Sequence, residues 1–139
     1  MLNDTLNTNE VKDSAGLEVE FERMYSSGRT SEFAKTGESP ATPHRMSIGH
    51  SEIGSGLKKR RRSVLRFDIK SVSDVDDITV VTTSAYVVLD NPIGAVTTNA
   101  EAANAIANIL SFAATTGAAT TVLFDGTGNG ATALLNGSL

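Results

Sequence analysis

The residues best equipped for chemistry in this chain are cations. More than half of its twelve lysines and arginines fall in one stretch, Leu57-Lys58-Lys59-Arg60-Arg61-Arg62-Ser63-Val64-Leu65-Arg66-Phe67-Asp68-Ile69-Lys70. Successive side chains of an extended strand point to opposite faces. Leu65, Phe67 and Ile69 therefore share one face, and Arg60, Arg62, Val64, Arg66 and Asp68 share the other. A strand with an apolar face and a cationic face needs two partners. One is the protein's own core; the other is anionic. Guanidinium forks match phosphate oxygens, so Arg62 and Arg66 are natural phosphate contacts.

Two plainer readings exist. Lysine and arginine protect exposed sheet edges from aggregation, and residues 58–62 also read as a nuclear-import tag. The neighbouring segments weigh against both. Across 44–51, Arg45, Ser47, Gly49 and Ser51 alternate with His44, Met46, Ile48 and His50. An antiparallel hairpin through Ile53-Gly54-Ser55-Gly56 would turn Arg45, Ser47 and Ser51 the same way as Arg62 and Arg66. A third strand over 78–89 would add Thr82, Ser84 and Tyr86. Hydroxyls can read base edges and an aromatic ring can stack an unpaired base, a combination that RNA recognition uses. On the residues alone, RNA binding is favoured over an inert basic face.

Other constellations carry less. His44 and His50 share a strand face, but metal sites want three or four ligands and there is no cysteine or third histidine; structural histidines are the better reading. Asp74, Asp76 and Asp77 lack the remaining positions of a calcium loop, including its distal glutamate, and read as a solvated acidic turn. Gly126-Thr127-Gly128-Asn129-Gly130 has neither the Walker lysine nor dinucleotide spacing, and reads as a turn. No nucleophile–base or paired-carboxylate arrangement stands out. The residues imply no enzyme, no cofactor, no metal and no small-molecule substrate.

The elements that must hold the cationic face follow from periodicity. Leu6 and Val11 allow a short first strand, and Asp13-Ser14-Ala15-Gly16 is a turn signal. Leu17, Val19 and Phe21 alternate with Glu18, Glu20 and Glu22, predicting a strand over 17–22. Ser26-Ser27-Gly28 turns the chain, and 29–35 pairs back as an edge strand. Residues 71–77 form an acidic loop, and Pro92 ends the third long strand. The period then changes. Thr98-Asn99-Ala100-Glu101 reads as a capping box, followed at helical spacing by Ala103, Ile106, Leu110 and Ala113, with Ile109 and Phe112 widening the stripe. Gly117 is placed to cap that helix. Thr121-Val122-Leu123-Phe124, a glycine-rich turn and a short helix over 131–136 complete the chain.

Strands first and helices last imply an α+β architecture: an N-terminal β-hairpin, an antiparallel sheet of about five strands, one long C-terminal helix and a short helical tail. One slim, alanine-rich helix cannot cover such a sheet, so a second copy is expected to bury the apolar face in an obligate dimer. Ile106, Leu110 and Ala113 are the expected interface. A length of 139 residues predicts a single domain. A net charge of −4 excludes a generally cationic nucleic-acid protein, but charge is felt locally, over a screening length of about 8–10 Å. The first 56 residues carry nine acids and five bases, set against the cationic block that follows. The absence of cysteine fits a reducing compartment, and with no apolar run long enough to span a bilayer the expectation is a soluble cytoplasmic protein without a membrane partner.

The order of hairpin, three long strands, capped helix and short tail resembles the coat proteins of single-stranded RNA bacteriophages, the levivirus type. Pro43-His44-Arg45-Met46-Ser47-Ile48, the lysine- and arginine-rich strand, and Ser84-Ala85-Tyr86-Val87-Val88-Leu89-Asp90-Asn91-Pro92 carry the likeness. The resemblance implies an intertwined homodimer whose sheets join edge to edge, with each subunit's helices lying across the partner's strands. Dimers would assemble into an icosahedral shell around genomic RNA, giving a virion protein assembled in the bacterial host's cytoplasm. It also implies that the inner sheet face grips an RNA hairpin and represses translation. Carried over, the RNA-facing set is Arg45, Ser47 and Ser51; Arg62, Val64, Arg66 and Asp68; and Ser84 and Tyr86, with Lys58, Lys59, Arg60 and Arg61 at the strand's start meeting genomic RNA without sequence choice. Val64 departs from the family's usual polar residue. The loop over 71–77 is shorter than in the best-known members, which implies altered geometry at the shell's symmetry axes. The alternative is a dimeric RNA-binding regulator that forms no shell.

Overall fold

The computed structural model describes residues 2–117 and 122–137, which divide into two compact units. The first comprises residues 1–7 and 19–97 and contains a six-stranded, wholly antiparallel sheet in chain order. Its strands are β1 (Thr5–Leu6), β2 (Phe21–Ser27), β3 (Thr30–Lys35), β4 (His44–Ile53), β5 (Arg60–Val72) and β6 (Val80–Asn91). Each strand pairs with its neighbour in the chain, so the sheet needs no crossover connection. The architecture is α+β, as the element order implies, with one strand more than expected.

The register fixes two faces. Met46 opposes Phe33 and Phe67, and Phe21 lies on the same side. Phe21 and Phe33 are completely buried, and Leu6, Val19 and Met46 nearly so. Phe21 meets His44 and Phe67 edge to face, with centroids 5.1 and 5.9 Å apart, a geometry that aligns positive ring edges with negative faces. The Arg23 guanidinium lies 5.3 Å from the centre of the Phe33 ring. Burial, then Lys35, pushes the His44 pKa down, so it packs as a neutral aromatic ring. His50 Nδ1 sits 2.8 Å from Ser63 Oγ.

Several boundaries differ from the sequence expectations. Residues 17–22 do not form one strand. The Asp13 carboxylate accepts the backbone N–H groups of Ala15 and Leu17, both at 2.9 Å, so Leu17 belongs to a turn and is exposed. Ser26 and Ser27 are in β2, and the turn is Gly28-Arg29 with Gly28 in left-handed conformation at φ 57°. The 29–35 segment is not an edge, because β3 pairs with β2 on one side and β4 on the other. Leu57 and Lys58 lie in a 3-10 turn (Gly56–Lys58), so the basic strand starts at Arg60. Gly94 closes against that turn; a Cβ there would sit 2.0 Å from the Gly56 carbonyl oxygen. The β5 strand runs to Val72, leaving 73–79 as the loop.

The second unit comprises residues 8–18 and 98–139. It holds α1 (Ala100–Ala114) and α2 (Asn129–Asn136). The capping box does not form: α1 starts one residue later than Thr98 would place it, behind Asn99, and makes no side-chain cap bond. Nor is Gly117 the cap. Thr115 ends the helix in extended conformation, and its side chain accepts the Gly117 N–H at 3.1 Å. Gly130 lets the start of α2 touch the end of α1, since a Cβ there would lie 1.8 Å from the Phe112 carbonyl oxygen. Thr121 of the expected 121–124 stretch lies outside the described residues.

Candidate nucleic-acid interface

The face opposite the buried aromatics is built in rows across β4, β5 and β6. Directly paired residues point the same way, so each row reads from the register. Ser51, Arg62 and Asp90 form one row; Gly49, Val64 and Val88 form the next; Ser47, Arg66 and Tyr86 the third; Arg45, Asp68 and Ser84 the fourth; and Lys70 with Thr82 the fifth. Arg60 lies above the first row, opposite Ile53. Rows are about 6.8 Å apart along a strand, and strands about 4.8 Å apart across it. The structure thus brings Arg45, Ser47, Ser51, Arg60, Arg62, Val64, Arg66, Asp68, Thr82, Ser84 and Tyr86 onto one surface. Lys58 is not on it, because it lies in the turn before β5. Val64 and Val88, with Gly49 beside them, leave a shallow apolar strip between two charged rows.

Three of the four arginines on this face are already ion-paired. Arg45 meets Glu38 at 2.5 Å, Arg60 meets Asp90 at 2.8 Å and Arg66 meets Asp68 at 2.8 Å. Ser84 donates its hydroxyl to Asp68, and Arg66 Nη2 donates to Ser84 Oγ at 3.3 Å. The bond from Arg66, then that from Ser84, holds the Asp68 pKa below the ordinary carboxylate value, while Asp68 raises that of Arg66. Among the described residues, Arg62 makes no ion pair. The surface is therefore less cationic than a count of its arginines implies.

Periodicity predicted the faces and put Asp68 beside Arg66, but it gave no sign of Glu38 or Asp90 as partners. Glu38 reaches Arg45 from the loop before β4 and also accepts the His44 N–H at 2.9 Å; nothing in the spacing signals it. On the reverse face Glu52 opposes Arg61 and accepts from Arg61, Arg29 and Lys59 at 2.9, 2.8 and 2.8 Å. Those bonds, from Lys59 first, pull its pKa to about 2. Two cations of the basic cluster, Lys59 and Arg61, are thus held behind the sheet and away from the candidate RNA face, as the odd position of Arg61 already encodes.

The loop joining β5 to β6 is tied by its own acid. Asp76 Oδ1 accepts the N–H groups of Ile78 and Thr79 at 3.1 and 2.9 Å, and Asp76 also accepts the Thr79 hydroxyl. The backbone closes with Ser73 N–H to the Thr79 carbonyl at 2.8 Å. The hydrogen bonds from Thr79 and Ile78 lower the Asp76 pKa from 3.8 to about 2. Val75 and Ile78 project from the loop, 95% and 83% exposed.

The sequence matches no family model and no curated protein. Solved structures do match. The coat protein of bacteriophage EMS014 aligns with a TM-score of 0.68 at 14% identity, over 87% of both chains. A virus-like particle of the same phage gives 0.63 at 12% identity, over 87% of this chain and 88% of that one. A virus-like particle of bacteriophage AVE015 gives 0.54 at 15% identity, over 86% and 80%.

A depressed carboxylate pKa contributes stability above its unfolded value and loses it as pH falls through the folded value. Amide-exchange protection of Ile78 and Thr79 is therefore expected to be constant above pH 3.8 and to vanish by about pH 2. Asp76→Ala should remove it at every pH. Protection that survives in Asp76→Ala would show that the backbone bonds alone hold the loop. In its fold this chain is a structural counterpart of bacteriophage coat proteins.

Proposed function

We propose that the protein is the self-assembling coat protein of a single-stranded RNA phage of the levivirus type, with residues 1–139 acting as one coat domain. The observation that carries this reading is a fold shared over 87% of both chains with a phage coat protein. Its role is structural, not enzymatic: it packages genomic RNA in an icosahedral virion assembled in the bacterial host, and its sheet binds an RNA hairpin as a translational repressor.

The building block is a homodimer. Among the described residues β6 pairs only with β5, leaving a twelve-residue edge whose one charge is Asp90. Long uncharged edges pair with other chains unless blocked, and a second β6 is the natural partner. In a single chain the α1 stripe is also left open. Leu110 and Phe112 are more than half exposed, and Ile106 is only partly covered. A partner subunit supplies the cover.

RNA lies on the rows described above. Arg62, unpaired, contributes a phosphate contact; Arg66, already compensated by Asp68, contributes little net charge. Each phosphate neutralised on single-stranded RNA changes the salt slope of binding by about 0.7. Arg62→Ala is expected to lower the slope by that amount. The double variant Arg66→Ala, Asp68→Ala should leave it unchanged while weakening affinity. Equal slopes in wild type and Arg62→Ala would place the phosphates elsewhere. A second expectation concerns assembly. Leu110 is 53% exposed in one chain, so Leu110→Asp should abolish the dimer, because the dimer would bury an unpaired charge. A soluble, well-folded monomer of that variant would contradict the intertwined arrangement. A dimeric Leu110→Asp variant would contradict the interface.

A further inference from the structure

A carboxylate is out of place on a surface that meets only phosphates, because like charges repel. Asp68 nevertheless occupies the fourth row, two residues along β5 from Arg66 and directly opposite Ser84. Its oxygens lie 2.8 and 2.9 Å from Arg66 Nε and accept from Ser84. Guanidinium donors and carboxylate acceptors are thereby locked side by side in one array. Tyr86 faces Arg66 across the strands and is 65% exposed, leaving its ring open to a flat partner.

We infer that Arg66, Asp68 and Tyr86 form a subsite for one unpaired guanine, an assignment that rests on the RNA-binding reading above. The guanine ring stacks on Tyr86, its N1–H and N2–H donate to the Asp68 carboxylate, and its O6 accepts from Arg66. Guanine alone among the four bases presents two adjacent N–H donors beside an acceptor on its Watson–Crick edge, the complement of a carboxylate next to a guanidinium. Uracil sets its single N–H between two acceptors that face the carboxylate unfavourably. Adenine and cytosine each bring one exocyclic amine beside an acceptor nitrogen, so the second carboxylate oxygen gains nothing. The dimensions fit. Cross-strand neighbours lie about 5 Å apart and the next row about 6.8 Å away, within the span of one purine. Asp68 needs its charge to accept two bonds, and its depressed pKa keeps it ionised near neutral pH.

The test uses the full chain and a pool of RNA hairpins with randomised loops. The expected result is enrichment of guanine at one loop position. Inosine there, which lacks the N2 amine, should bind about tenfold more weakly. Asp68→Asn, with one acceptor replaced by a donor, should reduce that guanine–inosine difference to about twofold or less. The inosine comparison in the unaltered protein needs no variant to fold. Two outcomes overturn the subsite alone: RNA binds with no guanine preference, or Asp68→Asn retains the preference. If no RNA in the pool binds, the RNA-binding reading itself falls.

Discussion

The register of β5 between β4 and β6 is the constraint on which everything else rests. Side chains alternate with a period of two, so a slip of one residue would send Phe67 to solvent and Arg66 into the apolar face. The register is fixed from behind by close packing. Phe67 opposes Met46 and Ala85, and Phe21 closes on Phe67 edge to face. It is fixed at the ends by turns. Gly94 seals the turn before β5 at van der Waals limits, and Asp76 ties the loop after it. Only with those settings does one surface acquire rows of arginine, hydroxyl and aromatic groups.

The same register governs the electrostatics. Arg45, Arg60 and Arg66 each have a carboxylate of their own chain within ion-pair distance. Arg60–Asp90 is exposed and contributes little to stability, while Arg45–Glu38 is largely covered. Their larger consequence is for binding. A compensated guanidinium gives up long-range attraction but keeps its directional donors, which moves the interface from counting phosphates towards reading bases. A protein of net charge −4 that binds RNA through such a surface would depend on geometry more than on bulk attraction.

Much of this was legible in the residues. Alternation in 44–51 and 60–70 placed both faces, and the helical period from Ala103 to Ala113 located α1. What failed were local competitions. Leu17 continues the alternation of Val19 and Phe21, yet the Asp13 carboxylate captures its N–H for a turn. Thr98 and Glu101 have capping-box spacing, yet α1 begins behind Asn99. Residues 29–35 look like an edge because they carry few apolar side chains, but the buried Phe33 makes β3 interior. The compensation of the arginines was invisible for a different reason. Glu38 and Asp90 become partners only once a loop and a diagonal across the sheet are set, which no spacing rule records.

The most direct measurement of the central claim is the sedimentation of the unaltered protein expressed alone, followed at 260 and 280 nm. The account predicts particles of megadalton mass whose absorbance ratio reveals enclosed nucleic acid and which dissociate to dimers. A monodisperse monomer or dimer free of RNA, under conditions where the fold is intact, would contradict it.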